Sequence, residues 1–401
     1  MKGARIDGYG PGSIDGGGTL VQDRTVTKGN GAEEAAAATA VTATRTPKRR
    51  RRARMADVAK AAGVSITTVS LVLNDKAGSS IPDVTKERVF EASRALGYRT
   101  NTVARNLRRQ SSETIGLISD TIASTSFAGL MVRGADQVAA AAGMTLMIIN
   151  TERDPEVERR AIESLLARQV DGLIYATMWH QVVEPPEALK EIPSVLLDAR
   201  SDDLADSWVV PDEELGGYTA TSHLIANGHR RIGYIHEDNV YPARPERFAG
   251  YLRALTEHSI EFEPELVAVD KNDPFGGTAA AARLLALPEP PTAIQCYTDR
   301  MAMGAYRAIR RAGLSVPHDI SVIGFDNQEQ LAPWLDPPLT TMQLPHEAMG
   351  RWAVEHLLRV LSGEAEGPQQ MRMECPLVVR DSVAPPRDGA GVSPRPTRGT
   401  T

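Results

Sequence analysis

Cysteine is scarce in this sequence, since its 401 residues include only Cys296 and Cys375. Two cysteines so far apart exclude the disulfide framework of a small secreted domain and do not indicate a metal cluster. Long apolar runs are also missing, because none approaches the roughly 20 residues that a membrane-spanning helix needs. The N-terminus lacks the apolar core of a secretion signal. These absences favour a protein of a reducing compartment, the cytoplasm, with no membrane partner.

Common catalytic signatures are missing as well. The chain has no GxxxxGK[ST] phosphate-binding loop, no HExxH motif and no GxSxG motif. We therefore predict a protein that is not an enzyme and that uses neither a cofactor nor a metal; a sugar kinase or hydrolase is the weaker alternative. The chain does have length and apolar content, 42% of its residues. That is enough for two or three domains with sizeable cores.

Charge is distributed unevenly along the chain. The net charge is −6, which taken alone argues against a nucleic-acid partner. Residues 48–109, however, hold 15 lysines and arginines against five acidic residues, a net of +10, whereas residues 110–401 hold a net of −16. The basic block begins with the run KRRRRAR at 48–54. A basic block joined to an acidic body indicates a local surface that binds phosphates.

The most informative stretch is DVAKAAGVSITTVSLVLN, residues 57–74. It predicts a helix over Asp57–Ala62, a sharp turn at Gly63 and a second helix over Thr67–Leu73, capped by the Ser65 hydroxyl. This pattern predicts a helix-turn-helix whose second helix enters a DNA major groove; the alternative is an ordinary helical hairpin in a larger domain. The side chains expected to meet between the helices are Val58, Ala61, Ala62, Val64, Val69 and Leu73.

A third helix and a basic stretch follow. The helix is predicted over Val84–Leu96, with Val89, Ala92 and Leu96 on one face and Gly97 as its stop. Residues 98–112 are too few and too charged for a stable helix alone, so we predict either a solvated linker or a hinge helix that forms on DNA and inserts Leu107 into the minor groove. The candidate DNA-binding residues are Ser65, Ile66, Thr67, Thr68, Ser70, Leu71, Asn74, Val103, Ala104 and Leu107.

From Thr114 onward, apolar strands alternate with amphipathic helices. This alternation predicts an α/β body of parallel sheets covered on both faces. About 270 residues are more economical as two lobes than as one sheet, and the break is expected near Val209–Asp212. The predicted strands are Thr114–Asp120, Met144–Thr151, Asp171–Thr177, Ser194–Ala199, Arg231–Asp238, Leu266–Asp270, Thr292–Thr298 and Ile320–Asp326. The predicted helices are Phe127–Ala142, Pro155–Arg168, Glu213–Asn227, Arg244–His258, Gly276–Leu287, Asp299–Ala312 and Pro345–Leu361.

Six stretches, in this order, resemble the LacI-type (lactose repressor and galactose repressor) family of bacterial transcription regulators. The resemblance covers roughly residues 56–383 and implies a dimer in which each chain has a DNA-binding head, a hinge helix and a two-lobed body similar to periplasmic sugar-binding proteins. It also implies a repressor whose operator affinity is switched by a small effector, a sugar on family grounds, held between the lobes. The stretches are DVAKAAGVSITTVSLVLN, GYRTNTVARNL, GGYTATSHLIANGHRRIGYI, ERFAGYLRAL, DRMAMGAYRAIRRAGLSVPHDISVIGFDN and PPLTTMQLPHEAMG.

The expected organisation follows from these observations together. No heptad pattern follows the body, so we expect a dimer rather than a tetramer. Either Met1 or Met55 could be the natural start. The expected segments are a disordered basic leader (1–54), a helix-turn-helix domain (55–99), a hinge helix (100–112), a two-lobed effector-binding and dimerisation domain (113–383) and a disordered tail (384–401).

Two positions depart from the family pattern. Leu71 stands where the recognition helix often carries Arg or His, and a leucine offers only apolar contact, for instance to a thymine methyl. We therefore expect an operator that differs from the usual family site. Thr298 precedes Asp299 where Asn often stands, which removes an amide donor and puts the usual set of sugar contacts in doubt.

Candidate effector ligands lie at the C-terminal ends of the predicted strands, where open α/β sheets bind ligands. Arg247 and Asp326 match the family's effector-binding arginine and aspartate; the alternative is an interlobe salt bridge between them. The other aspartates could instead cap helices, and aromatic residues such as Trp179 and Trp334 could stack on a sugar or belong to the core. The candidate effector-binding residues are Asp120, Phe127, Asp198, Arg247, Thr298, Asp299 and Asp326.

Together, these patterns predict a sequence-specific DNA-binding repressor, acting on carbohydrate-metabolism genes, with double-stranded operator DNA and a small effector as its partners. The main alternative is a small-molecule binding receptor without DNA regulation. The basic head and the hinge argue against that alternative.

Overall fold

The computed structural model describes residues 53–73, 81–98, 111–121 and 129–387, and the chain divides into two compact units, 1–99 and 100–401. None of the described helices is by itself long and apolar enough to cross a membrane, although one bent pair near the N-terminus reaches that length and composition jointly. Several predictions lie outside the described residues: the leader, most of the hinge helix, most of the tail, and the candidate site residues Asn74, Val103, Ala104, Leu107 and Phe127.

Three helices form the first unit: α1 (Met55–Ala62), α2 (Ile66–Leu73) and α3 (Asp83–Ala95). Gly63 ends α1 in the left-handed region at φ +64°, which confirms the predicted turn. The expected core positions Ala61 and Leu96 are wrong, because both residues are exposed. Ala59 takes the place of Ala61, and Tyr98 packs against the core from beyond α3. The buried core residues are Val58, Ala59, Ala62, Val69, Val72 and Val89.

The second unit contains two six-stranded sheets covered by helices, which confirms the predicted α/β class. The helices agree with the predicted ranges to within two residues at each end. They are α4 (Gly129–Ala141), α5 (Pro155–Ala167), α6 (Glu213–Ala226), α7 (Ala243–Glu257), α8 (Pro274–Leu285), α9 (Asp299–Arg311) and α10 (His346–Ser362). The strands are β1 (Thr114–Ser119), β2 (Thr145–Asn150), β3 (Gly172–Val182), β4 (Ser194–Arg200), β5 (Trp208–Pro211), β6 (Ile232–His236), β7 (Val267–Val269), β8 (Ala293–Cys296), β9 (Ser321–Asp326), β10 (Thr340–Gln343), β11 (Gln370–Met373) and β12 (Leu377–Val378).

Each sheet belongs to one lobe. Lobe 1 has the strand order β11-β5-β4-β3-β1-β2, and lobe 2 has the order β12-β10-β9-β8-β6-β7. Among the described strands, the pairs are parallel, as predicted, except for the two-residue edge strand β12, which runs antiparallel to β10. The sequence also missed β5, β10, β11 and β12, which have two to four residues; the equally short β7 and β8 were predicted because they lie within longer apolar runs.

The chain passes between the lobes three times within residues 129–387. It leaves lobe 1 after β5, returns at the start of α10, which packs on α4, and leaves again between β11 and β12. The sequence predicted only the first of these passages, at residues 209–212. At the boundary between the lobes, the C-terminal ends of β4 and β9 both lie near the first half of α7, because Arg200 contacts Glu246 and Asp326 lies close to Arg247.

Glycines allow the helices of each lobe to pack closely. A Cβ atom added at Gly217 of α6 would collide with the carbonyl oxygen of Arg247 on α7, and one added at Gly250 of α7 would collide with the carbonyl oxygen of Glu214 on α6. Close backbone approach of this kind requires a residue without a side chain. The same reciprocal arrangement joins Gly134 of α4 with Gly350 of α10, and Gly277 of α8 with Gly304 of α9.

Candidate functional site

The surface of α2 away from the head's core is open to solvent. Val69 and Val72 are buried in that core, whereas Ile66 is 52% exposed and Thr67 is exposed as well. Ser70 and Leu71 are half-buried between these two faces. The first turn of α2 is therefore accessible, as the recognition helix of a helix-turn-helix must be.

The hydroxyl of Ser65 caps α2, as the sequence predicts. Its Oγ accepts a hydrogen bond from the backbone N–H of Thr68 at 3.0 Å. The side-chain oxygens of Ser65 and Thr68 also lie 2.8 Å apart. These two residues thus fix the start of the helix that carries Ile66 and Thr67.

Arg247 lies at the centre of a polar cluster in lobe 2, and its side chain is 5% exposed. Its Nε donates to Oε2 of Glu213 at 2.6 Å, its Nη2 donates to Oε1 of Glu213 at 3.2 Å, and its Nη1 donates to the Tyr297 carbonyl oxygen at 2.6 Å. The guanidinium carbon lies 3.6 Å from the ring centre of Phe325. A guanidinium held on two edges and one face can present its remaining N–H groups in only one orientation.

Asp326 ends β9 beside this cluster and is 8% exposed, with a φ of +114°. Its Oδ1 lies 3.8 Å from Nη1 of Arg247, and its Oδ2 accepts a hydrogen bond from the Gln328 amide at 3.0 Å. Burial raises the pKa of Asp326, and Arg247 opposes that shift. Arg247 and Asp326 both belong to lobe 2, so the alternative of an interlobe salt bridge between them is wrong.

Asp198 reaches the same region from lobe 1. It lies near the end of β4 at φ +55° and is 2% exposed. Its Oδ1 has no hydrogen-bond partner among the described residues. Burial and the Glu213 carboxylate raise the pKa of Asp198 well above its ordinary value, whereas the charge of Arg247 lowers it. Arg200, two residues further along β4, reaches Glu246 of lobe 2, so this end of β4 lies at the boundary between the lobes.

Two further predicted ligands serve lobe 2 internally. Thr298 caps α9 by accepting a hydrogen bond from Met301 N at 3.3 Å, and it donates to Oδ1 of Asn272 at 2.6 Å. Asp299 has no exposed surface. Its two carboxylate oxygens accept hydrogen bonds from the Thr341 hydroxyl at 2.6 Å and from the Gln328 backbone at 2.8 Å. The structure therefore gives Asp299 a supporting role under β9 and β10 instead of the predicted effector contact.

Asp120 and the two candidate tryptophans do not contact Arg247 or Asp326 among the described residues. Asp120 pairs with Arg153 at 3.2 Å, and Arg153 also covers the Trp179 ring, 4.6 Å from its centre. The Trp179 ring lies 5.6 Å from that of Tyr241 in lobe 2. Trp334 is 81% exposed on the turn after β9. In this conformation Trp179 joins the lobes, and neither tryptophan belongs to the core.

A second contact between the lobes is ionic. Glu246 of α7 accepts hydrogen bonds from Arg200 of β4 at 3.2 Å and from Arg372 of β11 at 2.9 Å. Nε of Arg200 also donates to Nε2 of His180 at 3.2 Å. Burial and the Arg200 charge lower the pKa of His180 to about 3, so this imidazole is neutral. Because Nε2 accepts, the proton of His180 is on Nδ1, which has no partner within the described part of the chain.

Comparison with known proteins agrees with both halves of the structure. Residues 54–101 match the family described as bacterial regulatory proteins, lacI family, and residues 221–383 match the periplasmic binding protein-like domain. The chain is 34% identical to the transcriptional repressor PurR of Aliivibrio salmonicida, covering 82% of this chain and 98% of that protein. It is 35% identical to the regulator GalR of Salmonella typhimurium, covering 84% and 98%.

The chain belongs to the LacI family. The lac repressor dimer solved with operator and the anti-inducer ONPF has a TM-score of 0.68 and 29% identity to it, covering 83% of this chain and all of that one. This LacI-family protein is accordingly a DNA-binding transcriptional repressor with a periplasmic-binding-protein-like effector domain. Among its described residues, no group of His, Cys, Asp and Glu side chains is arranged to hold a metal ion.

We call the boundary between the two lobes, around Arg247, the cleft. Three residues of the LacI-family protein's cleft were not predicted from the sequence: Glu213, His180 and Glu246. Glu213 binds Arg247 from 34 positions away in the chain, across the contact of α6 with α7. No local pattern encodes such a pairing, because it depends on the register in which two helices pack. The nearest available signal was position, since Glu213 directly follows the predicted break between the lobes.

Replacing Ser65 by alanine is expected to destabilise the start of α2 by about 1 kcal/mol, because the N–H of Thr68 loses its acceptor. Hydrogen exchange of the α2 amides, measured on the whole chain by mass spectrometry, should then become about fivefold faster. Ser65→Thr retains a hydroxyl and serves as the control. Unchanged exchange in the alanine variant would show that the cap contributes nothing.

Proposed function

We propose that this LacI-family repressor binds its operator as a homodimer and that a polyhydroxylated effector, a sugar or sugar derivative, changes operator affinity by binding between its two lobes. In this proposal, the first turn of α2 contacts bases and residues 100–112 form the hinge helix. The protein acts in the cytoplasm by binding alone, without a catalytic step.

One observation carries the effector part of this proposal. The oriented guanidinium of Arg247 and the carboxylate of Asp326 lie on the lobe 2 side of the boundary, and Asp198, whose Oδ1 has no partner among the described residues, lies on its lobe 1 side. Carboxylate acceptors beside a forked cationic donor match the alternating donors and acceptors of sugar hydroxyls. The lac repressor dimer was solved bound to both operator and an anti-inducer. That structure supports the proposal that one chain of this fold binds DNA and also binds an effector.

The lobes must separate for an effector to enter. The cavity beside Asp326, lined by Leu130 of lobe 1 and by Gln343 and His346, has a volume of about 90 Å³. That is room for roughly three water molecules and too little for a monosaccharide. Opening would break the contact of Trp179 with Tyr241 and the ion pairs of Glu246.

Apolar surface on lobe 2 supports the homodimer. Phe275 at the start of α8 is 75% exposed, and Met303 on α9 is 42% exposed. Their helices are joined at Gly277 and Gly304, so the two side chains belong to one rigid pair. Large exposed apolar side chains on adjacent helices favour burial against a second copy.

The experiment that tests DNA recognition compares two duplexes of equal length at 150 mM salt: a palindromic site upstream of the regulated gene and a random sequence. Fluorescence anisotropy should give an affinity at least about 10³-fold higher for the palindrome. Leu107→Ala should weaken palindrome binding about tenfold and leave random binding unchanged, because a wedge acts only on a kinked site.

Equal affinity for both duplexes would contradict the operator assignment and favour the alternative of a receptor without DNA regulation. An equal loss on both duplexes in the Leu107 variant would remove the wedge but leave operator recognition in place. Leu71→Arg provides a further check, since it should shift the preferred base opposite that residue toward guanine.

A further inference from the structure

The boundary between the lobes holds more buried carboxyl groups than cations among the described residues. Asp198 and Glu213 are 2% exposed and Asp326 is 8% exposed, and Arg247 is the cation among them. Its bidentate contact with Glu213 neutralises one carboxylate, and its remaining interaction with Asp326, at 3.8 Å, is longer. The closed cleft thus leaves Asp198 without a counter-ion.

Three neighbouring arginines of the described cleft are already committed. Arg200 and Arg372 both bind Glu246, and Arg153 binds Asp120. Three of the five N–H groups of Arg247 are occupied by Glu213 and Tyr297. An anionic ligand would therefore meet the carboxyl groups of Asp198 and Asp326, with two N–H groups of Arg247 and the exposed Arg300 as its nearby donors.

Two buried polar atoms of lobe 1 have no hydrogen-bond partner among the described residues. Among residues 111–121 and 129–387, Oδ1 of Asp198 is a buried acceptor without a donor, and Nδ1–H of His180 is a buried donor without an acceptor. Buried polar groups are nearly always hydrogen-bonded in native structures, and an exception indicates a missing partner. Burial disfavours the ionised form of Asp198, and a cationic donor would stabilise that form, so a cationic donor is the strongest partner for this carboxyl group.

We propose that the effector is an amino-bearing sugar whose ammonium group binds Asp198, and that phosphorylated and carboxylated sugars are excluded. The inference rests on the effector cleft proposed above. An ammonium group brings three N–H donors to the unpartnered carboxylate and restores the charge balance of the cleft. A ring or hydroxyl oxygen of the same ligand accepts from Nδ1 of His180, and its other hydroxyls meet Asp326 and the remaining N–H groups of Arg247.

Isothermal titration of the whole chain, without DNA, tests this proposal. The probes are D-glucosamine, D-galactosamine and D-mannosamine, each compared with its parent hexose and with the hexose 6-phosphate. In at least one configuration, the amino sugar should bind at least tenfold more tightly than its parent hexose, and no 6-phosphate should give measurable heat. Asp198→Asn should reduce the amino preference to less than threefold. Asp270→Asn, which alters an aspartate paired with Arg283 at the end of the edge strand β7, should retain it.

Three results would overturn the proposal: a 6-phosphate that binds as tightly as its parent hexose, a preference that survives in Asp198→Asn, or no heat from any amino sugar. Equal binding of amino and parent sugars would overturn it while leaving the effector cleft intact. Absence of binding by every compound, with operator binding preserved, would also remove sugars from the proposed function. If Asp198→Asn does not fold, Asp198→Ser carries the same expectation.

Discussion

Arg247→Met is expected to lower the free energy of unfolding of the body by about 3–5 kcal/mol. Methionine keeps much of the side-chain length that packs on Phe325, but it removes the charge that Glu213 faces. Glu213 is 2% exposed, so its carboxylate would remain buried with no counter-ion, or would take up a proton. Urea denaturation followed by tryptophan fluorescence measures the loss as a lower midpoint at unchanged slope.

The double variant Arg247→Met, Glu213→Leu separates charge from packing. Removing both partners eliminates the uncompensated charge, so its stability should return to within about 1 kcal/mol of the parent chain. A double variant as unstable as the single one would show that the loss arises from contacts of the guanidinium with Phe325 and Tyr297. Both variants should lose effector response, and the double variant should keep effector-free operator binding. Loss of operator binding as well would mean that Arg247 supports the DNA-binding form of the protein.

The second large effect is expected at the glycine contact between α6 and α7. Gly217→Ala places a Cβ against the carbonyl oxygen of Arg247, and backbone atoms at such a contact can yield only if one helix moves. We expect destabilisation of about 3 kcal/mol, at the upper end of the range for overpacking. Because the contacted carbonyl belongs to Arg247 itself, effector affinity should fall with stability, and titration calorimetry measures that fall.

Gly129→Ala is the matched control for this substitution. Gly129 starts α4, and an added Cβ meets no described atom within 4 Å. Alanine there should leave stability unchanged or raise it by up to about 1 kcal/mol, since alanine favours helix. If Gly217→Ala is tolerated equally well, the close approach of α6 and α7 does not hold in solution.

Segments of the body with a periodic or continuous apolar pattern could be predicted from the sequence, whereas several short strands without such a pattern could not. The apolar face of α9 and the continuous apolar run of β9 repeat over enough residues to fix both type and range. By contrast, β11 pairs with β5, which lies about 160 residues earlier in the chain. Its four residues carry no pattern of their own, so only the tertiary arrangement makes them a strand.

The roles of candidate site residues could be predicted from the sequence where they depend on local interactions, and less well where they depend on tertiary packing. Ser65 was identified as a cap because the cap is a local interaction. Asp299 and Asp198 both end apolar strands and look alike in sequence. The structure distinguishes them, because the Thr341 hydroxyl and the Gln328 backbone satisfy Asp299, whereas Oδ1 of Asp198 has no described partner. That difference depends on which neighbours the fold supplies.

Glu246 and Arg247 are consecutive residues on α7, but their side chains serve different neighbours. Glu246 pairs with two arginines of the opposite lobe, whereas Arg247 lies at the centre of the polar cluster of its own lobe, where the effector is proposed to bind. A helix transmits a tilt along its whole length as a stiff rod, so a ligand that draws Arg247 toward itself also repositions Glu246. Effector binding at Arg247 and the ion pairs of Glu246 are therefore coupled directly, because the two residues are neighbours on the same helix. No chain of other residues is needed between them.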